Sequence, residues 1–124
     1  MKNRSAFHDH LIAAAREFNS GRYFEAHEAL EEGLDDTPDE LWELSLGLIQ
    51  IAVGYHKLTQ QLWVGGRRML ERALAKVEPF ADDSAGLKLR LLRRRVAADI
   101  EALRDKRFDA DAFKRDPPRL QPLR

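Results

Sequence analysis

Gly21-Arg22-Tyr23-Phe24-Glu25-Ala26-His27-Glu28-Ala29-Leu30-Glu31-Glu32 reads as one amphipathic helix entered from a tight turn. Tyr23, Ala26, Leu30 and Leu34 recur at helical spacing and share a face, while Glu25, Glu28 and Glu32 take the other. Immediately upstream, Asn19-Ser20-Gly21 has the chemistry of a helix end. Before that turn, Phe7, Leu11, Ala14, Ala15 and Phe18 repeat with the same period behind Ser5, the expected N-cap. The stretch therefore predicts a helical pair, about 6–19 and then Tyr23 to Asp35-Asp36.

Downstream, Thr37-Pro38-Asp39-Glu40 carries the signature of a helix start: Thr37 to cap, Pro38 in the first turn, Glu40 reaching back. The third helix is expected over 38–60. Its apolar arc, with Leu41, Trp42, Leu44, Leu48, Ile51, Tyr55 and Leu58, spans more than half the circumference, which marks a central helix. Gly47 and Gly54 lie seven residues apart on the remaining side, with Gln50 near them, where another backbone can approach closely. Helices over 62–77 and 85–106 follow, the second capped by Asp82-Asp83-Ser84 and carrying Leu89, Leu92, Val96, Ile100 and Leu103 inward. Residues 1–107 are expected to form one helical domain, and 108–124 a tail pinned by Phe108 and Phe113.

The fold class is all-α, about five helices in antiparallel hairpins forming a compact bundle. A shift of 40 residues pairs Phe18 with Leu58, Tyr23 with Trp63, Ala26 with Gly66, Leu30 with Leu70 and Leu34 with Leu74. The first two helices then resemble the third and fourth. Gly21-x-Tyr23-x-x-Ala26 also looks like the turn of a tetratricopeptide-type hairpin, although such arrays ordinarily need three copies.

With 21 basic and 21 acidic side chains the formal charge is zero, so no global field draws the chain to nucleic acid or anionic lipid. The distribution is uneven: residues 25–43 hold nine carboxylates and no Lys or Arg, whereas Lys88, Arg90, Arg93, Arg94 and Arg95 crowd one short run. That run reads first as a solvated helix face, which disfavours nucleic acid as a partner. Zero cysteine removes disulfides and thiolate chemistry. No apolar stretch is long enough to span a bilayer, and a cytoplasmic location without membrane association is expected.

The helical wheel sets His27 between Tyr23, Leu30 and Leu34, with Glu31 one turn on. Three readings stay open. The imidazole ties helices together as a structural hydrogen-bonding group. Alternatively His27 and Glu31 begin a metal site that His56 completes. In the third, His27 acts as a general base or ligand donor in an interhelical pocket, with Glu28, Tyr23 and Gln50 nearby. Neither a His-Glu-x-x-His pattern nor a glycine-rich phosphate loop is present, and no cofactor is indicated. His8 and His10 lie about 200° apart on a regular helix, too far round to chelate together, and read as solvated groups.

Three blocks resemble the small helical family called domain of unknown function 309: Gly21 to Glu32, Gly47-Leu48-Ile49-Gln50-Ile51-Ala52-Val53-Gly54-Tyr55-His56, and Gly65-Gly66-Arg67-Arg68-Met69-Leu70-Glu71-Arg72-Ala73-Leu74. The resemblance implies an all-α fold with His27 and Glu28 at motif positions, and brings no activity. Leu34 stands where a Trp is usual, with Trp42 or Trp63 expected to make up the volume. Leu46 replaces a frequent Gln, and Gln61-Leu62 replaces a Gly-Asn turn. The leading expectation is a non-enzymatic interaction or scaffold domain, binding a protein partner or a second copy through grooves or the Gly47/Gly54 face. The alternative is a small metal-dependent or acid–base enzyme using His27, Glu28, Glu31 and His56.

Overall fold

A computed structural model describes residues 2–123, so positions 1 and 124 of the expected domain and tail fall outside the described residues. The described residues form six helices: α1 (Arg4–Asn19), α2 (Tyr23–Glu32), α3 (Trp42–Thr59), α4 (Trp63–Val77), α5 (Leu89–Arg104) and α6 (Ala110–Arg115). The all-α expectation holds.

Several helix starts depart from the expected caps. Asn3, not Ser5, caps α1, its side chain accepting from the Ala6 N–H at 3.1 Å. Thr37 does not cap α3. It is completely buried and its hydroxyl donates to the Gly33 carbonyl at 2.9 Å, closing the end of α2. Glu40 pairs with Arg4 instead of reaching back, and a 3₁₀ turn over Asp39–Leu41 precedes α3, which begins at Trp42. Likewise Asp82-Asp83-Ser84 leads into a 3₁₀ turn, Ser84–Gly86, and α5 starts only at Leu89.

The 40-residue correspondence is reproduced in backbone geometry. After α1, Gly21 N–H donates to the Phe18 carbonyl and Arg22 N–H to that of Glu17; after α3, Gln61 donates to Leu58 and Leu62 to Lys57. The pivots share the left-handed region, Gly21 at φ 77° and Gln61 at φ 63°. Lys106 repeats the device after α5, at φ 55°, with Lys106 donating to Leu103 and Arg107 to Ala102. Because a non-glycine residue is strained there, Gln61→Gly is expected to stabilise the chain by about 0.5–1 kcal/mol. Thermal melting reads this as a rise of about 2–6 °C, and an unchanged or lower midpoint would contradict it.

Helix α3 is the centre, packed by α2 on one side and α4 on the other. The face carrying Gly47 and Gly54 is not free for a partner: a Cβ on Gly54 would meet Leu70 at 2.8 Å, and one on Gly47 would meet Val77 at 2.6 Å. Both glycines exist to let α4 sit close. Neither tryptophan replaces the missing Trp at Leu34, since Trp42 and Trp63 are 39% and 40% exposed.

Residues 108–123 add α6 and an extended strap to the expected pins. Phe113 is buried, and Leu120 and Pro118 are buried beyond it. The Asn19 side chain clamps the strap, accepting from Leu120 N–H at 2.7 Å and donating to its carbonyl at 3.0 Å. Leu87 forms an antiparallel bridge with Pro122, flanked by Lys88 N–H to Gln121 and Leu123 N–H to Gly86.

Candidate functional site

The residues singled out around His27 do not converge on one point. The His27 ring is mostly covered, and its Nδ1 lies 2.8 Å from the Phe24 carbonyl while Nε2 lies 3.2 Å from Glu31 Oε1. Both contacts are made within α2, one to its backbone and one to its side chain a turn on. Glu31 is half exposed, which limits the energy of the pair. The Phe24 ring packs against both His27, centroids 5.0 Å apart, and His56, 5.3 Å apart. Glu28 points into solvent. Among the described residues no group of three or more His, Asp or Glu side chains is arranged to hold a metal ion. Gln50 is half-buried with its Oε1 enclosed and unpaired. His8 is exposed as expected, whereas His10 is partly covered and lies against Gly33.

Tyr23 belongs to a different constellation, missed from the sequence. Its ring packs edge-on against Phe18 and stacks on Phe113, which in turn stacks on Tyr55 at 5.7 Å and 14°. Under this aromatic layer the Tyr55 hydroxyl donates to Asp99 Oδ2 at 2.6 Å, and Arg95 Nε donates to the same oxygen at 3.0 Å. Burial pushes the Asp99 carboxyl above its ordinary value, with the Tyr55 hydrogen bond and Arg95 opposing the rise. Burial also lifts Tyr23 to about 12 and Tyr55 well above 10, so both phenols stay neutral and Tyr55 remains a donor. The signal was present in the spacing: Asp99 lies seven residues after Leu92 and three after Val96, on the buried stripe of α5.

The basic run is likewise partly spent inside the molecule. Arg93 pairs with Asp82 and donates to the Phe80 carbonyl at 3.0 Å, and Arg95 serves Asp99. Lys88, Arg90 and Arg94 are exposed.

Apolar side chains left in solvent gather where the α3–α4 turn and the end of α5 meet. Leu62, Trp63 and Val64 are 49%, 40% and 55% exposed, and the indole of Trp63 lies 5.8 Å from the Phe108 ring. Trp63, Val64, Phe108 and Leu103 line a groove of about 400 Å³ whose other lining residues are Arg67 and Lys106. Phe24, 46% exposed, stands near the same end of α3 through its contact with His56. The repeat explains this placement: Phe24 and Val64 are equivalent under the 40-residue shift, each one residue into the second helix of its hairpin.

The fold defines an all-helical protein of stacked antiparallel hairpins. Residues 11–69 match the family model described as Domain of unknown function (DUF309), the family that the three sequence blocks resemble. The match covers the second half of α1, all of α2 and α3, and the first half of α4. No curated protein and no solved structure matches the chain. No described helix is long and apolar enough to cross a membrane.

Proposed function

We propose that the chain is a non-enzymatic, cytoplasmic interaction module that docks a protein partner at the turn end of its hairpins, and that the His27 cluster is structural. The observation that carries this reading is the run Leu62-Trp63-Val64 held in solvent at the start of α4, with Trp63 beside Phe108. Such side chains would be polar on a surface with no partner, and a contiguous exposed apolar patch marks an interaction site. His27 supports the same reading, because its two nitrogens already have acceptors within the helix that carries it.

Val64→Glu tests the docking face without disturbing the core. Val64 is mostly exposed, so the melting free energy is expected to change by no more than about 0.5 kcal/mol. Binding of an uncharged peptide with one central Phe, read by Trp63 emission in a Trp42→Phe background, is expected to disappear. Undiminished binding in Val64→Glu would overturn the assignment of this face.

A further inference from the structure

The groove at the turn end has a charge pattern that narrows the partner, an inference that rests on the docking-face reading above. Its floor and walls are Trp63, Val64, Leu103 and Phe108, and among the described residues its charged lining is Arg67 and Lys106, with no carboxylate. Arg67 bonds Glu71 at 2.9 Å, but Glu71 is also held by Arg104, so two guanidinium groups share one carboxylate. Those two cations keep Glu71 ionised by drawing its carboxyl below the usual range, and one positive charge is left over in the triad. Lys106 stands in no ion pair among the described residues, although its neighbours Asp105 and Glu101 both engage Arg107. Its backbone sits in the left-handed turn that follows α5, which holds the residue at the groove's rim. Leu62 at the start of α4 supplies no side-chain cap, so the first-turn N–H groups beside Trp63 and Val64 add to the positive rim.

We infer that the groove takes a protein segment that inserts one bulky apolar side chain flanked by carboxylates. The apolar group fills the Trp63–Phe108 cleft and displaces water from it, supplying the affinity. The carboxylates meet Lys106 and the Arg67 side of the triad, supplying register and selection against basic segments. A wholly apolar partner would leave both rim cations unanswered, and a basic one would face them directly.

The test uses the full chain carrying Trp42→Phe, so that emission reports Trp63, and three acetylated, amidated peptides with one central Phe flanked by Glu, Gln or Lys. The Glu peptide is expected to bind about five to ten times more tightly than the Gln peptide at low salt, and the Lys peptide more weakly still. Raising the ionic strength should shrink the difference, and Lys106→Glu should abolish or reverse it while the melting curve stays in place. Equal binding of all three peptides would overturn the acidic partner and leave the docking face standing. Binding of none at millimolar concentration would overturn both. A preference for Glu that survives Lys106→Glu together with Arg67→Glu would place the selectivity elsewhere and overturn the groove.

Discussion

Replacing Gly66 by alanine is expected to destabilise the protein by about 1–3 kcal/mol, while the same change one residue earlier is expected to stabilise it. A Cβ on Gly66 would lie 2.5 Å from Leu58 Cδ2 and 3.1 Å from the Gly54 carbonyl oxygen. Leu58 can shift its terminal methyl, but the carbonyl belongs to α3 and cannot yield without moving the helix. Overpacking of this kind outweighs the gain of up to about 1 kcal/mol that alanine brings to a helix interior. At Gly65 the nearest atom is the Lys57 Cδ at 3.5 Å, an ordinary contact with a flexible chain. There the helix-propensity gain of about 0.5–1 kcal/mol stands unopposed. Chemical denaturation of the two variants should give midpoints on opposite sides of the parent. Two shifts of the same sign would mean that α3 and α4 are not in the close register described.

The second large effect is expected at Tyr55. Tyr55→Phe preserves the stacked rings but removes the donor from a buried carboxylate, at a cost of about 2 kcal/mol near neutral pH. The cost depends on pH with a definite sign. Because burial raises the folded-state value of Asp99, its ionisation is penalised in the folded protein, and stability falls as pH climbs from the unfolded value, about 3.9, through the raised folded one. Tyr55 holds that folded value down, so losing its hydroxyl raises the value further and enlarges the penalty. The gap between Tyr55→Phe and parent should therefore be smallest in acid, below the unfolded value, and widen to a plateau above the folded one. A gap independent of pH would show that the hydroxyl acts on something other than the Asp99 charge.

Periodicity and turn chemistry made the hairpins legible, because both are properties of the local chain. Gly21 announces its left-handed turn through its residue type, and the 40-residue shift carries that turn to Gln61, whose side chain alone would never suggest it. Thr37 shows the opposite case. Its position before Pro38 and Glu40 has every local mark of a cap, yet it is completely buried and its hydroxyl turns back to Gly33. Such a choice depends on what covers a residue, which neighbours in sequence do not state.

The same distinction separates the two histidine-region expectations from the buried network. The helical wheel directs His27 toward the apolar side of α2, but the direction of a side chain does not say what lies opposite. Phe24 packs on the imidazoles of both His27 and His56. Asp99 was readable as a polar residue on an apolar stripe, but its partner Tyr55 is 44 residues away and comes near only through the packing of α5 on the hairpins. Trp63 and Val64 stand exposed in the first turn of α4, a placement that local periodicity does not state.

His27→Ala is the most direct measurement of the account, taken as a melting curve beside elemental analysis of the parent protein purified without chelator. A structural histidine with one backbone acceptor and one half-exposed carboxylate predicts a loss of about 0.5–1.5 kcal/mol, with no stoichiometric metal in the parent. A variant as stable as the parent, together with one equivalent of metal that the substitution removes, would contradict it.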